Sequence, residues 1–297
     1  MKDVIIIYGP TAVGKSAVAV ELAKRLNGEI ISADSMQIYK HLNIGSAKVT
    51  KEEMQGIPHH LLDFLEPNEE YSASQFVHDA LCLCEDIISR KKTPIIVGGT
   101  GLYINGLIKG FNFGNTSKNS EFRKSLDALS NTELYEKILT ISPNSQIDKN
   151  NRRRLVRELE KINFGEPTNN SINTHYNFRL FALTDDRTKI YDRINLRVDK
   201  MIKEGLLEEA KLIYSLNLPD DALAIKAIGY KELFPYIKQE ATLDECASIL
   251  KQKTRNYAKR QFTYMNQFED LIKVEFCGVS ETASKIIKLL EDKKWIH

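Results

Sequence analysis

Four residues near the start of the chain have the types and spacing of a phosphate-binding loop. Gly9, Gly14, Lys15 and Ser16 match the pattern G-x-x-x-x-G-K-[ST] without a mismatch. Here the glycines let backbone N–H groups face an anion, the lysine reaches the terminal phosphates, and the hydroxyl binds Mg²⁺. The loop therefore predicts a polyphosphate ligand, with Mg²⁺ as cofactor and Ser16 as its ligand. The residues predicted to bind the diphosphate or nucleotide are Gly9, Pro10, Thr11, Ala12, Val13, Gly14, Lys15 and Ser16.

The segments around this loop predict an α/β fold. The apolar run 4–8 is typical of a strand buried on both faces, and 17–26 is predicted to be a helix. Further strands are predicted at 29–33, 94–97 and 179–184, with helices between them. Strands that alternate with helices indicate a P-loop NTPase-like, doubly wound parallel sheet.

Two more polar turns follow predicted strands. Asp34 to Gln37 comes after the second strand, and Gly98 to Thr100 after the third. Because ligands of open α/β sheets bind at the carboxyl ends of the strands, these turns and the phosphate loop are expected to form one pocket. Asp34 is a candidate catalytic carboxylate; a helix cap or a second Mg²⁺-positioning group remains an alternative. For Thr100 the alternative is a turn-stabilising hydroxyl.

The composition is that of an ordinary globular protein. Of 297 residues, 42% are hydrophobic and 28% charged, and the formal net charge is only +2. No stretch approaches the roughly 20 apolar residues of a membrane span, so we expect a cytoplasmic protein that does not bind a membrane. The four cysteines and the pair His59-His60 lack metal-site spacing, so neither predicts a metal site.

The middle of the chain has a different pattern. Strand-like runs disappear between residues 112 and 176, which predicts a helical insertion into a core formed by 1–111 and 177–297. An arginine-rich helix is expected at 151–162, and long helices at 187–216 and 243–266. Basic clusters around 152–157 and 251–260 are suited to RNA phosphates, although each also fits a solvated helix face.

Nine segments together resemble bacterial tRNA dimethylallyltransferases, over almost the whole chain. In the first half they are GPTAVGKS at 9–16, SADSMQIY at 32–39, IGSAKVT at 44–50, IPHHLLD at 57–63 and GGTGLYI at 98–104. In the second half they are NRRRLVRELE at 151–160, DRINLRVDKMIKEGL at 192–206, KAIGYKEL at 226–233 and RQFTYMN at 260–266.

The resemblance implies a reaction. Family members transfer a dimethylallyl group from its diphosphate to N6 of the adenosine at position 37, beside the anticodon, in tRNAs reading codons that begin with U. It implies Asp34 as general base, Thr100 as a hydrogen-bond partner at the reacting amine or the diphosphate, and Lys15 on the leaving diphosphate. The partners are then dimethylallyl diphosphate and the tRNA anticodon stem-loop, and the protein is expected to be a monomer without an obligate protein partner. The tRNA-binding residues implied are Asp34, Ser35, Met36, Gln37, Thr100, Arg123, Arg153, Arg154, Leu155, Val156, Arg157, Arg260 and Gln261.

This chain departs from the family pattern at several positions, and other functions remain as alternatives. The family has Asn-Pro-Gln-Arg where this chain has Asn151 to Arg154, while Tyr264 replaces a Trp and Asn266 an Arg. A P-loop kinase, prenyl transfer to free adenine nucleotides and a catalytically silent RNA-binding protein are the alternatives. The intact loop and Asp34 disfavour the last, and the helical insertion favours an RNA acceptor over a nucleotide.

Overall fold

The chain folds into two units. The computed structural model describes residues 2–110, 120–164, 175–219 and 222–295. One unit comprises Met1–Ile108 with Asn173–His297, and the second Lys109–Ile172. The predicted boundary at 111 and 112 lies outside the described residues.

A six-stranded, all-parallel sheet forms the centre of the first unit, in the order β3-β2-β4-β1-β5-β6. The strands are β1 (Lys2–Tyr8), β2 (Gly28–Ser32), β3 (His59–His60), β4 (Thr93–Val97), β5 (Tyr176–Thr184) and β6 (Ile272–Glu275). The predicted α/β fold with a parallel, P-loop-like sheet is confirmed. β3 was not predicted, because two histidines carry no apolar pattern.

Helices connect these strands. In the first unit they are α1 (Lys15–Arg25), α2 (Lys51–Met54), α3 (Ala73–Ser89) and α4 (Gly101–Lys109). The second unit contains α5 (Ser120–Leu126), α6 (Asn131–Ile141) and α7 (Arg152–Phe164). The first unit continues with α8 (Arg187–Lys203), α9 (Leu206–Ser215), α10 (Leu223–Lys226), a 3₁₀ turn (Lys231–Leu233), α11 (Phe234–Ile237), α12 (Leu243–Met265) and α13 (Val279–Asp292).

Alternate residues of β1 belong to the cores on the two faces of the sheet. Val4, Ile6 and Tyr8 pack in one apolar cluster, and Ile5 and Ile7 in the other, all with exposures of 1% or less. The continuous apolar run in the sequence therefore follows from burial on both faces. This places the carboxyl end of β1, and the loop after it, at the centre of the sheet.

The prediction of a single long helix at 187–216 is wrong, because the helix is interrupted at Gly205. The structure has two helices, α8 and α9, separated at Gly205, whose φ is +107°. Glycine takes this left-handed conformation without a Cβ clash, so the chain turns there. The sequence pattern did not show the break, because amphipathic spacing continues on both sides of it.

The second unit has a small core of its own. Its buried apolar residues are Leu126, Leu134, Ile138, Leu155 and Leu159, contributed by all three helices. Capping box Ser130–Glu133 fixes the start of α6, since each residue bonds the backbone N–H of the other. The predicted contact of this second unit with tRNA stays a prediction.

Candidate active site

One cavity of about 510 Å³ lies in the first unit, beside the phosphate loop. Its lining contains both polar and apolar residues. The polar residues include Thr11, Lys15, Ser16, Asp34, Gln37 and Arg197. The apolar residues include Ile30, Ile44, Val49, Leu62, Val97 and Met201. A ligand that carries both a charged group and a hydrocarbon group would match this mixed lining.

The phosphate loop joins β1 to α1. Gly14 precedes α1 with φ +102°, and a Cβ at this position would lie 2.7 Å from the ring of Phe276. Only glycine satisfies both constraints, so the glycine is required by conformation and by packing. Lys15 donates from Nζ to the carbonyl of Pro10 at 2.8 Å, across the loop.

The ammonium of Lys15 lies in surroundings that disfavour its charge. Its pKa is lowered to about 7, chiefly by burial; the carboxylate of Asp34 acts in the opposite direction, and the positive charge of Arg197 adds to the lowering. Lys15 and Arg197 are two of the four cationic side chains that line the cavity, and such a set favours a ligand with several negative charges. A bound polyphosphate would restore the proton on Lys15.

Asp34 follows β2 and enters the same cavity. Its Oδ1 accepts a hydrogen bond from the backbone N–H of Met36 at 2.9 Å. Burial raises the pKa of the Asp34 carboxyl, while this hydrogen bond and the charge of Lys15 act in the opposite direction. A carboxylate with a raised pKa is a better proton acceptor than an exposed one.

The turn after β4 is joined directly to the Asp34 turn. Thr100 Oγ1 accepts from the backbone N–H of Ser35 at 3.1 Å and lies 3.4 Å from the Ser35 hydroxyl. The structure thus brings Asp34, Ser35 and Thr100 together, as expected from the strand ends. Their roles toward a substrate stay predictions.

Two of the predicted RNA contacts are engaged inside the protein. Gln37 donates from Nε2 to the carbonyls of Ser46 and Ala47, at 3.3 and 3.1 Å. Gln261 is buried, with an exposure of 4%, and its amide forms hydrogen bonds within the first unit through both oxygen and nitrogen. The structure therefore gives both amides a role in organising the site, and a contact of either with RNA stays a prediction.

Sequence reasoning missed two residues of this region. Arg197 on α8 lines the cavity, and Tyr257 on α12 lies near Thr100 and Gln261. Burial raises the pKa of Tyr257, so its hydroxyl stays protonated. For Arg197 the available signal was its place in the segment DRINLRVDKMIKEGL; on an amphipathic helix, however, an arginine resembles a solvated side chain.

The donor set around the loop suits Mg²⁺ only in part. Ser16 lines the cavity beside Lys15, but no group of three or more His, Cys, Asp or Glu among the described residues is suited to hold a metal ion. Mg²⁺ commonly takes few protein ligands and completes its shell with phosphate oxygens and water. The residues present fit a metal that arrives with a diphosphate.

The histidine pair has a structural explanation. His60 bonds Glu29 through Nε2 at 2.8 Å, while His59 contacts the carbonyl of Ile57 through Nδ1 at 2.8 Å. His59 also lines the cavity. The described part of the chain thus gives these residues hydrogen-bond partners in the protein.

The arginines of α7 divide into exposed and engaged side chains. Arg153 and Arg154 are exposed. Arg152 instead donates to the carbonyls of Leu126 at 2.8 Å and Leu129 at 2.6 Å, at the end of α5. The charge that replaces a proline in the family pattern therefore caps a helix.

Four other predicted RNA contacts of the second unit take part in its own packing. Arg123 and Arg157 pair with the buried carboxylate of Glu160, at 2.6 and 3.2 Å. Leu155 is fully buried, so any contact with tRNA would involve its backbone. Val156 is half-buried against the same core. These tRNA contacts stay predictions.

The basic cluster of α12 is also partly neutralised. Lys251 pairs with Asp199 at 2.6 Å, and Arg255 donates to the Asn195 side chain at 2.6 Å. Arg260 is exposed and lies 5.5 Å from the ring centre of Tyr257. A solvated, paired face explains most of this cluster, and Arg260 stays a predicted RNA contact.

Across the described ranges, no helix combines the length and hydropathy needed to cross a membrane.

The parallel sheet and the phosphate loop after β1 define an α/β P-loop protein with a cavity beside that loop. The sequence profile of IPP transferase matches residues 37–268. A Streptococcus thermophilus (strain CNRZ 1066) protein named tRNA dimethylallyltransferase is 48% identical over 279 residues, covering 93% of this chain and 91% of its own. One of the same name from Anoxybacillus flavithermus is 49% identical over 271 residues, covering 89% and 87%.

Solved structures agree with these relatives. The full-length tRNA isopentenylpyrophosphate transferase of Bacillus halodurans superposes with a TM-score of 0.75 at 39% identity, covering 99% of this chain and 98% of its own. A eukaryotic dimethylallyltransferase described as acting on tRNA gives a TM-score of 0.82 at 27% identity, covering 98% and 79%. This chain belongs to the IPP transferase family.

Proposed function

We propose that this protein transfers the dimethylallyl group of dimethylallyl diphosphate to N6 of adenosine 37 in tRNAs that read codons beginning with U, releasing diphosphate. The observation that carries the proposal is the cavity lined by the phosphate loop, Asp34 and several apolar side chains. Membership of the IPP transferase family supports the same reaction.

The cavity lining would serve both halves of the donor. The phosphate loop, Lys15 and Arg197 would bind the diphosphate through backbone N–H groups and positive charge. The apolar side chains of Ile44, Val49 and Leu62 would pack against the hydrocarbon. Contact with those side chains would also keep water from the reacting carbon.

Asp34 supplies the proton acceptor. The N6 lone pair of adenine is delocalised into the ring, so the amine is a weak nucleophile. As the C1–N6 bond forms, the C1–O bond to the diphosphate breaks and the N6 proton passes to the Asp34 carboxylate. Lys15 stabilises the charge that develops on the leaving diphosphate. Thr100 holds the Asp34 turn through Ser35.

Mg²⁺ would be held by the diphosphate and the Ser16 hydroxyl. When bound, it neutralises negative charge on the leaving group. The tRNA acceptor must present its adenine extruded from the anticodon loop, because a stacked base cannot enter a cavity of this kind. Exposed Arg153, Arg154 and Arg260 would contact its phosphates. With tRNA as acceptor, the proposed location is the cytoplasm and the proposed state a monomer.

The test is incubation of the purified protein with Mg²⁺, labelled dimethylallyl diphosphate and either unmodified tRNA or AMP, followed by nucleoside analysis. We expect label on N6 of a tRNA adenosine and none on AMP. Label on AMP alone would reassign the protein to nucleotide prenylation. Absence of label on both, together with ATP-dependent phosphorylation of a small acceptor, would reassign the loop to a kinase.

A further inference from the structure

The segment 43–50 forms one wall of the cavity and is held from outside by a carboxylate on α9. Glu209 Oε2 accepts from the backbone N–H groups of Asn43 and Ile44, both at 2.9 Å. Its Oε1 accepts from the N–H of Gly45, also at 2.9 Å. Three consecutive backbone donors therefore converge on one charged side chain, and hydrogen bonds to a charged acceptor are the stronger kind.

Tyr230 completes this arrangement. Its hydroxyl donates to Glu209 Oε1 at 2.7 Å, and its side chain is fully buried. The ring packs so closely on Gly45 that a Cβ there would lie 2.6 Å from it. The segment is thus fixed by hydrogen bonds to Glu209 and by direct contact with Tyr230.

The segment lines the cavity with the apolar side chains of Ile44, Ala47 and Val49, which we call the apolar wall, whereas neither Glu209 nor Tyr230 lines it. The polar residues of the segment that also line the cavity are Asn43, Ser46, Lys48 and Thr50. Gln37 holds the next part of the segment through the carbonyls of Ser46 and Ala47. The apolar wall is therefore held by Gln37, which lines the cavity, and by Glu209 and Tyr230, which do not.

We propose that Glu209 and Tyr230 form a positioning pair that sets the apolar wall against the hydrocarbon group of the prenyl donor. This inference rests on the proposed function, since it concerns how the same cavity holds dimethylallyl diphosphate. The pair acts on the hydrocarbon half, because the phosphate loop is held by other groups, including the amide of Gln261 on the Thr11 N–H. Loss of the pair is expected to affect the prenyl group and leave diphosphate binding intact.

The experiment compares Glu209→Gln and Tyr230→Phe with Glu208→Gln as matched control. Glu208 is the preceding residue on α9, with a side chain 72% exposed that pairs only with Lys211 among the described residues. Affinities for dimethylallyl diphosphate and for inorganic diphosphate are measured by calorimetry with Mg²⁺ present. We expect Glu209→Gln to weaken the affinity for dimethylallyl diphosphate by about tenfold, because an amide N–H₂ would face the backbone donors. The affinity for inorganic diphosphate should stay unchanged. The KM for the donor should rise likewise, with kcat retained.

Tyr230→Phe removes one hydroxyl and keeps the ring, so it folds even if the Glu209 variant does not. It should likewise weaken the binding of dimethylallyl diphosphate and leave the binding of inorganic diphosphate unchanged. Equal weakening of both ligands, or donor affinity like that of Glu208→Gln, would overturn the inference. A wild-type protein that binds inorganic diphosphate but not dimethylallyl diphosphate would instead contradict the proposed function. The two failures are therefore distinguishable.

Discussion

The side-chain amide of Gln261 donates from Nε2 to the carbonyl of Gly99 at 3.0 Å, while its Oε1 accepts from the backbone N–H of Thr11 at 2.8 Å. One residue of α12 therefore connects the phosphate loop with the turn that carries Thr100. The Gln261 side chain is buried, so water cannot easily replace it as a partner for either backbone group. The relative position of the two turns depends on this side chain.

Gln261→Glu tests that connection. The carboxylate would face the Gly99 carbonyl without a proton to donate, so we expect a loss of about 2 kcal/mol or more in the free energy of unfolding and a fall in activity. Gln252→Glu on the same helix is the matched control, because Gln252 is exposed. Denaturant unfolding of both variants gives the comparison; equal stability would show that the buried amide is dispensable.

Asp34→Asn tests the proposed base. Asparagine keeps an oxygen for the Met36 N–H but cannot take a proton, so we expect single-turnover prenylation to fall by about 10²–10⁴-fold. Affinity for tRNA and for the donor should change little. Asp192→Asn, on the exposed face of α8, should retain wild-type rates. An equal fall in tRNA affinity and rate would assign Asp34 to binding.

The pH profile of kcat/KM for the donor should have two limbs. Lys15 must be protonated to bind a polyanion, and since its pKa is lowered to about 7, the ratio should fall as the pH rises through that value. Asp34 must be ionised, and since burial raises its pKa, the acid limb should lie above the ordinary carboxylate range. The measurement is kcat/KM as a function of pH with donor varied.

Two variants separate the limbs. Lys15→Arg keeps its charge at alkaline pH, so the alkaline limb should move to higher pH even though overall activity falls. Asp34→Asn should lose the acid limb from its residual activity. An alkaline limb that stays in place in Lys15→Arg would show that another group causes it.

Much of the site followed from sequence rules, because it depends on local pattern and chain topology. The apolar run at 4–8 identified β1, and the rule for strand ends placed Asp34 near Thr100. The interactions that hold the site did not follow. Glu209 lies 164 residues from Gly45, and a carboxylate on an amphipathic helix is indistinguishable in sequence from a solvated one. Gln261 is a buried polar residue in a segment that looked like an RNA-facing surface.

Glu29 is the buried carboxylate of β2, and its removal tests a structural ion cluster. Arg90 binds it through two nitrogens, and Lys92 and His60 each approach to 2.8 Å. These hydrogen bonds, from Arg90 above all, hold its pKa well below the ordinary value. We expect Glu29→Gln to lower the free energy of unfolding at pH 7 by about 2–3 kcal/mol.

That contribution has a defined pH dependence. Because the folded-state pKa is depressed, the stabilisation is present above the unfolded carboxyl pKa and is lost as the pH falls towards the folded value. The difference between wild type and Glu29→Gln should therefore shrink below about pH 4.3. Glu66→Gln, which breaks an exposed pair with Lys40, should cost less than about 1 kcal/mol. A constant difference between wild type and Glu29→Gln across the acid range would contradict this account.

Neighbouring arginines of α7 have different environments. Arg153 and Arg154 are exposed, whereas Arg152 caps α5. If the exposed pair neutralises tRNA phosphates, replacing both by Ala should reduce the slope of log affinity against log salt by about 0.7–0.9 for each phosphate that is no longer neutralised. Arg152→Ala should leave that slope unchanged and lower stability instead, since it removes the donor to carbonyls at the helix end. Filter binding at several salt concentrations, with thermal unfolding in parallel, measures both. An unchanged slope in the double variant would remove Arg153 and Arg154 from the tRNA interface. A reduced slope in Arg152→Ala would show instead that any positive charge on this helix, exposed or engaged, contributes to the salt dependence of tRNA binding.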